Sequence, residues 1–336
     1  MRRLFSVAAI AVAVGATAFL AALVQASPAL ADDDNGGSEE KVVCTGSMTG
    51  RIDADVIVPT GAVCVLTDAR VEGDVVVEPS AQLNALKTIV EGDIDCSGGF
   101  TPPAGFYFCD LLSETVVEGN GIVRAGGELH VHGGHILGNV RAGPGSVFFT
   151  TPPFEGLPPT SPHIGGNVRC NGCIFLDLAE TTVGGSVHIK GEAEGSFIAE
   201  NSEIGGDLEI VKSEAGPFAF VIAGNTIHGD VEFTKNVGPT EIVRNIIGGD
   251  LEIRENNVAG VFCEEDFPGT PCPPGIENGY FADNQVSGGM KVLRNQGPTK
   301  ITNNVIEEEL ECRRNDPAPV GSGNTAKEQE GQCRGL

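Results

Sequence analysis

Three histidines and a glutamate lie within one short segment, Glu128 to His135. Glu128, His130 and His132 alternate with apolar residues, so in a β-strand their side chains point to the same face. Imidazole nitrogens and carboxylate oxygens bind Zn²⁺ and Cu²⁺, and His135 follows after two glycines. The segment therefore predicts a transition-metal site formed by Glu128, His130, His132 and His135. The alternative is a surface strand whose histidines bind no metal.

Paired carboxylates recur at intervals of about twenty residues and form a second candidate site. The pairs are Asp207 and Glu209, Asp230 and Glu232, and Asp250 and Glu252. Stacked about 5 Å apart, such columns repel one another unless Ca²⁺ or a basic neighbour intervenes. The alternative, which we favour, is turn chemistry of Asp after Gly on a solvated face. No motif requires a cofactor, and Ca²⁺ and Zn²⁺ are the ions that the two clusters predict.

Ten cysteines predict up to five disulfides in an exported chain, although the sequence alone does not fix their pairing. Proximity along the chain favours Cys44 with Cys64, Cys96 with Cys109, Cys170 with Cys173, Cys263 with Cys272, and Cys312 with Cys333. A C-x-x-C such as Cys170 to Cys173 also occurs in redox enzymes, where it normally opens a helix. Here it interrupts a strand repeat, which favours a structural disulfide.

Three insertions, near residues 97–110, 143–162 and 257–280, are rich in Phe and Pro. Aromatic rings on such loops stack on sugars in proteins that bind glycans, so the insertions predict a ligand-binding surface. The predicted binding residues are Phe106, Tyr107, Phe148, Phe149 and Phe154. The alternative is that the Phe and Pro side chains tie the loops to the body of the protein.

A repeat must position all of these residues, because a short motif recurs along the chain. It consists of Val or Ile, any residue, Gly, Asp or Asn, an aliphatic residue, any residue, and a further apolar residue. Eight clear copies begin at Val71, Val90, Ile136, Ile164, Val183, Ile204, Ile227 and Ile247, and four weaker ones begin at Ile52, Val117, Val286 and Ile306. Most successive copies are 19 to 21 residues apart, and the three longest intervals contain the insertions.

Within each repeat, apolar residues follow one another at steps of six, six and seven, as at Val71, Val77, Leu83 and Val90. This spacing predicts three short strands per turn of a single-stranded parallel β-helix with a triangular cross-section, an all-β fold of about twelve turns. The i, i+3, i+4 pattern of an amphipathic helix is absent. At about 4.8 Å per turn, the rod would be roughly 55 to 60 Å long.

Two series of asparagines support this register, and we interpret them as structural ladders. The first series is Asn225, Asn245, Asn284 and Asn304, continued towards the N-terminus by Thr181 and Ser202. The second series is Asn236, Asn256, Asn295 and Asn315.

The N-terminus predicts export. Residues 1–31 have two arginines, an apolar run and an A-x-A site, which is typical of a signal peptide; an uncleaved membrane anchor is the alternative. Residues 32–43 are predicted to be an acidic flexible segment before a β-helix over residues 44–315, and no membrane span is expected in the mature chain. The formal charge of −25 disfavours nucleic acid and anionic lipid as partners.

The C-terminal residues 316–336 combine Asp316-Pro317-Ala318-Pro319 with a Gly-rich stretch and Cys333, which predicts a cap over the last turn. A β-helix exposes unpaired strand edges at its ends, and such edges recruit other chains unless they are covered. A cap therefore disfavours filament growth and favours a monomer or small oligomer.

The segments GPTEIVRNIIGGDLEIREN, GPTKITNNVIEEELECRRNDPAPVGSGN and EGQC resemble an uncharacterised family of exported β-helix repeat proteins of high-GC Gram-positive bacteria. More distantly, VIVPTGAVCVLTDARVEGDVVV is similar to the bactofilin fold, a right-handed triangular β-helix that polymerises end to end. The first resemblance implies an exported rod without an assigned activity, and the second implies a right-handed winding.

These features predict a secreted, extracellular or cell-wall-associated structural protein without catalytic activity, which binds an extracellular glycan or protein through its insertions. The alternative is a polysaccharide lyase or hydrolase that uses the stacked Asp and Glu columns, since carboxylates about 5 to 9 Å apart suffice for glycoside hydrolysis. Catalysis is disfavoured because the chain lacks G-x-S-x-G, H-E-x-x-H and the Gly-His-Gly signature of polygalacturonases.

Overall fold

The computed structural model describes residues 40–97, 108–152, 160–191, 196–199, 201–215, 219–258 and 279–336. These residues form β-strands joined by tight corners, and no helix occurs among them. The predicted signal peptide, the Cys263 and Cys272 pair, most of the first and third insertions, and residues 153–159 of the second insertion lie outside the described residues.

The first half of the chain contains β1 (Lys41–Val43), β2 (Ser47–Ile52), β3 (Asp55–Val58), β4 (Val63–Val71), β5 (Val75–Val77), β6 (Gln82–Leu86), β7 (Ile89–Val90), β8 (Ile94–Cys96), β9 (Cys109–Leu111), β10 (Val116–Val117), β11 (Gly121–Val123), β12 (Glu128–His132), β13 (His135–Ile136), β14 (Val140–Ala142), β15 (Val147–Thr151), β16 (His163–Ile164), β17 (Val168–Asn171) and β18 (Phe175–Ala179). The second half contains β19 (Thr182–Val183), β20 (Val187–Lys190), β21 (Ser196–Ala199), β22 (Glu203–Ile204), β23 (Leu208–Val211), β24 (Phe220–Ala223), β25 (Thr226–Ile227), β26 (Val231–Thr234), β27 (Thr240–Val243), β28 (Ile246–Ile247), β29 (Leu251–Arg254), β30 (Gly279–Ala282), β31 (Gln285–Val286), β32 (Met290–Leu293), β33 (Thr299–Thr302), β34 (Val305–Ile306), β35 (Glu309–Arg313), β36 (Val320–Ser322) and β37 (Glu328–Gly331).

The strands form three faces, and every strand pairs in parallel with its equivalent one turn away. Face A contains β1, β3, β5, every third strand from β8 to β35, and β37. Face B contains the first parts of β2 and β4 and every third strand from β6 to β36, and face C contains the ends of β2 and β4 and every third strand from β7 to β34. The chain is therefore a parallel β-solenoid of about twelve turns with three strands per turn, as predicted.

The predicted register is confirmed, because the first residues of the twelve motif copies pair with one another in order along face C. The pairs run from Ile52 with Val71 to Val286 with Ile306. Inward residues are Val, Ile, Leu and Phe with almost no solvent exposure, and they form one continuous core along the described turns. Parallel pairing together with alternate burial is what strands of period two produce.

The Gly-Asp signature of the motif has a steric and a hydrogen-bonding cause at the corner between faces C and A. Asp207 Oδ1 accepts a hydrogen bond from the backbone N–H of Asp230 at 2.9 Å, one turn further along. A Cβ on Gly229 would overlap that same oxygen atom. The glycine therefore allows the turns to approach closely enough for the aspartate of one turn to bind the backbone of the next.

Both asparagine series form buried ladders. Asn284 Nδ2 donates to Ile242 O at 2.8 Å and to Asn304 Oδ1 at 2.9 Å, and Asn284 Oδ1 accepts from the backbone N–H and Nδ2 of Asn245. The residue before each of these asparagines has a left-handed backbone, as at Arg244 (φ 57°), which turns the chain at the corner. The ladders continue to Asn324 and to Gln332, respectively.

Three predicted boundaries are corrected. Lys41–Val43 lies in the predicted flexible segment 32–43, yet it pairs with Asp55–Ile57 as the first strand of face A. Val147–Thr151 lies in the predicted insertion 143–162 but is a regular strand of face B, so the additional residues begin at 152. Residues 316–336 do not simply cover the last turn, because β36 and β37 extend faces B and A in parallel register.

Candidate functional site

The candidate site lies on the outside of face B, on strands β9, β12 and β15. Pairing places Asp110, His130 and Phe149 directly above one another in three successive turns. One insertion follows Cys96 and returns at Cys109, at the edge of face B next to face A. Another begins after Thr151, at the edge next to face C. Both edges of this part of face B therefore carry the ends of insertions.

His130 is held by contacts on both sides of its ring. Its Nε2 lies 2.7 Å from Glu128 Oε1, and its Nδ1 lies 3.6 Å from Asp110 Oδ1. The ring of Phe108 stacks on the imidazole with a centroid distance of 4.7 Å and an interplanar angle of 14°. A carboxylate only accepts hydrogen bonds, so a neutral His130 donates through Nε2 and its Nδ1 carries a lone pair. This nitrogen is the one that lies next to Asp110.

His132 lies next to the same carboxylate oxygen. Its Nε2 lies 3.5 Å from Asp110 Oδ1, and its Nδ1 lies 2.6 Å from the hydroxyl of Thr151. The His132 side chain is 6% exposed, so it is buried although it was predicted to lie on the surface. Asp110 Oδ1 is itself buried, and it accepts no hydrogen bond from any residue that the structure describes.

His135 does not belong to this cluster, so the predicted set of four ligands is wrong at that position. The corner at Gly133 and Gly134 carries the chain from face B to face C, where His135 pairs with His163 of β16. The two rings are 5.9 Å apart. Asp110 takes the place of His135, and it comes from the preceding turn. Glu128 contacts His130 but is not within the group formed by Asp110, His130 and His132.

The His135 and His163 pair predicts a pH-dependent stability. Burial lowers the pKa of His135, and the charge of His163 lowers it further. On the opposite side of His135, in the preceding turn, β10 places the uncharged residue Val116. In the unfolded chain His135 is protonated as the pH falls through about 6.5, whereas in the folded chain its lower pKa delays protonation. The free energy of unfolding therefore decreases as the pH falls through about 6.5. We expect His135→Asn to flatten this loss in urea unfolding measured from about pH 8 to about pH 5.

His163→Asn provides the matched control, because it removes the charge repulsion and leaves the burial of His135 unchanged. The loss of stability of His163→Asn between about pH 8 and about pH 5 should lie between the losses of the parent protein and of His135→Asn. An unchanged pH dependence in His135→Asn would rule out this histidine as its source.

The geometry of the carboxylate columns agrees with the alternative to a Ca²⁺ site, in which the aspartates stabilise the turns. The Oδ1 atoms of Asp207, Asp230 and Asp250 each accept a backbone N–H from the next turn at 2.8 to 2.9 Å. The neighbouring glutamates form ion pairs; Glu252 lies 3.0 Å and Glu232 lies 3.8 Å from Arg254. Glu209 lies 2.6 Å from His188 Nδ1. The six carboxylates are thus engaged by backbone donors and by nearby cations or imidazole, with no need for Ca²⁺.

The predicted aromatic site is corrected at Phe148, which is fully buried in the core. It pairs with Leu129 and Leu176, so it occupies an inward column of face B. Phe149 points outward and is half-buried, with its ring 5.5 Å from that of His130. Phe106, Tyr107 and Phe154 lie outside the described residues.

Four of the predicted disulfides are present. Cys44 pairs with Cys64, Cys96 with Cys109, Cys170 with Cys173, and Cys312 with Cys333, at Cα–Cα distances of 5.5, 6.2, 5.6 and 5.1 Å. The C-x-x-C pair lies at the end of β17 with both side chains buried. Disulfides persist in oxidising compartments, so these pairs indicate an environment of that kind.

No helix among the described residues has the length and apolar character that crossing a bilayer requires. Comparison of the chain with protein-family models, curated proteins and solved structures gives no match. The resemblances to exported β-helix repeat proteins and to bactofilins therefore stay predictions.

Proposed function

We propose that this protein is an exported, non-catalytic β-solenoid that binds an extracellular glycan on face B. The export signal predicted at residues 1–31, the disulfides and the resemblance to exported β-helix proteins support the location. The outward surface of β9, β12, β15 and β18 supports the binding role. It is the single observation that carries the proposal.

This surface combines aromatic and polar side chains in the way that sugar recognition requires. Phe108, Phe149 and Phe175 are half-buried and belong to neighbouring turns of face B. The half-buried Asn84 and Asp177 lie in the same outward column as Phe149. Ring faces pack on the apolar faces of sugars, and amide or carboxylate groups bind sugar hydroxyls. Insertions at both edges would border a bound chain.

The engagement of the aspartate columns supports a non-catalytic role. A glycoside hydrolase needs one carboxyl group that protonates the leaving group and a second that attacks or activates water. The aspartates predicted for these tasks bind the backbone of the next turn through Oδ1, as Asp230 does with Asp250 N–H. Their positions follow from the corner geometry of the solenoid and do not depend on a substrate.

The test measures binding of the purified exported chain to an array of extracellular polysaccharides, with soluble product assayed in the same wells. We expect saturable binding without product. Phe149→Ala should weaken the binding about twofold to tenfold, because loss of ring stacking removes about 0.5 to 1.5 kcal/mol. Tyr280→Ala is the matched control, since Tyr280 lies in the same outward column several turns away.

Two results would replace the proposed function, and a third would rule out the proposed site. Release of oligosaccharide that is lost in Asp230→Asn would make the protein a polysaccharide-active enzyme. Absence of binding to every polysaccharide would leave a structural rod whose partner is a protein. Equal effects of Phe149→Ala and Tyr280→Ala would place glycan binding elsewhere on the rod.

A further inference from the structure

We propose that Asp110, His130 and His132 bind one divalent transition-metal ion of the zinc class, with Glu128 and Thr151 orienting the two imidazole rings. The proposal rests on the geometry around Asp110 Oδ1 and does not depend on glycan binding.

The distances from Asp110 Oδ1 to the two histidine nitrogens match those between ligands of a tetrahedral metal ion, and the three ligand atoms all lie within 4.8 Å of one another. Ligands about 2.0 to 2.1 Å from zinc at tetrahedral angles lie about 3.3 to 3.4 Å from one another. Asp110 Oδ1 lies 3.6 Å from His130 Nδ1 and 3.5 Å from His132 Nε2. These separations are too long for good hydrogen bonds, yet they are close to the edge of a tetrahedron. Small side-chain movements would complete the coordination.

The buried oxygen of Asp110 supplies an independent observation. A carboxylate oxygen that is removed from water without a hydrogen bond costs free energy. Asp110 Oδ1 is in this position among the described residues, and His130 Nδ1, which carries a lone pair in the neutral ring, lies 3.6 Å from it. Two acceptor atoms that face each other repel unless a cation lies between them. A metal ion would satisfy both of them at once.

The outer contacts of the cluster are those that metal-binding histidines usually make. A ligating histidine generally uses its second ring nitrogen to bind a carboxylate or another polar group, which fixes the ring and its tautomer. Glu128 Oε1 performs this role for His130 at 2.7 Å, and Thr151 Oγ1 performs it for His132 at 2.6 Å. The rings of Phe108 and Phe149 pack beside His130 and limit access of water.

The ligand chemistry selects the class of ion. Two imidazoles and one carboxylate favour zinc or a similar transition metal, whereas Ca²⁺ and Mg²⁺ bind through oxygen. Three protein ligands leave a fourth tetrahedral position for water or a ligand. The alternative is a protonated histidine that forms an ion pair with Asp110, and that arrangement would bind no metal.

The test uses the full exported chain, produced without a histidine tag and treated with a chelator. Zn²⁺ affinity is measured by competition with a chromophoric chelator, and Co²⁺ is added separately to record the visible absorption of a tetrahedral site. We expect one equivalent of Zn²⁺ per chain and a rise in melting temperature on adding Zn²⁺. Asp110→Asn, which preserves the shape of the side chain, should weaken Zn²⁺ binding by about 100-fold or more.

Two further variants separate this ligand set from the one that the sequence predicts. Glu128→Gln should weaken binding by about tenfold, as expected for a group that orients a ligand. His135→Ala should leave the affinity unchanged, because His135 lies on face C. Melting temperatures in excess chelator show that each variant folds. Absence of stoichiometric Zn²⁺ binding, undiminished binding in Asp110→Asn, or an equal loss in His135→Ala would overturn the proposal.

Discussion

Replacement of Asn284 by alanine is expected to lower the free energy of unfolding by about 3 to 5 kcal/mol. The side chain is fully buried and makes four hydrogen bonds, two to Asn245 and one each to Asn304 and Ile242. Alanine leaves those partners in the interior without a replacement. The penalty for unsatisfied buried groups therefore adds to the loss of the bonds themselves.

Urea unfolding followed by circular dichroism measures this effect. Asn84→Ala is the matched control, because Asn84 lies in the outward column of face B and, among the described residues, its side chain makes one hydrogen bond, accepted from Gln82 Nε2 at 3.4 Å. That variant should change stability by about 0.5 kcal/mol or less. A similar small change in Asn284→Ala would mean that the ladder contributes little to stability.

Removal of the Phe233 ring is expected to have an effect of comparable size, about 3 to 5 kcal/mol in Phe233→Ala. Phe233 is fully buried between Ile210 and Ile253 of the adjacent turns, and its ring packs edge to face on Phe220 at 5.1 Å. Alanine removes the transfer free energy of the ring and leaves a cavity that the stacked strands cannot easily close. The same unfolding experiment measures this loss.

Phe233→Leu is the control, since it retains most of the volume and should cost about 1 to 1.5 kcal/mol. Because each turn contacts mainly its neighbours, the alanine variant should also weaken the coupling between the two halves of the rod. Two separate unfolding transitions would be consistent with that weakening. A loss no larger than that of the leucine variant would show that the core closes around the missing ring.

The fold was largely predictable because each copy of the motif independently indicates the register of the strands. Each copy of the motif places one apolar residue inward on face C, and parallel pairing of identical copies is possible in one alignment only. The asparagines at Asn245 and Asn284 provided a second, independent alignment. A mistaken alignment of one copy therefore could not change the predicted register of the others.

The site was less predictable because it depends on local irregularities. Four residues separate Leu111 from Val116 at one corner, whereas three separate Val131 from His135 in the next turn. Asp110 and His130 therefore lie at different distances from the following copies of the motif, so the repeat does not align them. Proximity in the sequence favoured His135 as the third ligand. The deciding contact joins two turns, and Asp110 comes directly after the first insertion, where the distance from the preceding motif copy no longer indicates a residue's place in the turn.

Phe148 was misplaced for a different reason. The long interval between Ile136 and Ile164 showed that residues had been added, but not at which corner. Two steps of six from Ile136 reach Ala142 and then Phe148, so the spacing of the other turns was a signal that it lies inside. The Phe-rich composition of the segment outweighed that signal.

The asparagine ladder has a practical consequence for the insertions. Asn245 donates its backbone N–H to Asn284 Oδ1 at 3.0 Å across 39 residues, and Asn284 donates to Asn304 Oδ1 at 3.1 Å across 20 residues. The stacking of turns is therefore the same whether or not a segment is added between them. The segment after Val258 can therefore be lengthened or replaced without a change in the packing of the buried residues. By the same reasoning, this position is suited to carrying grafted peptides on a rigid display scaffold.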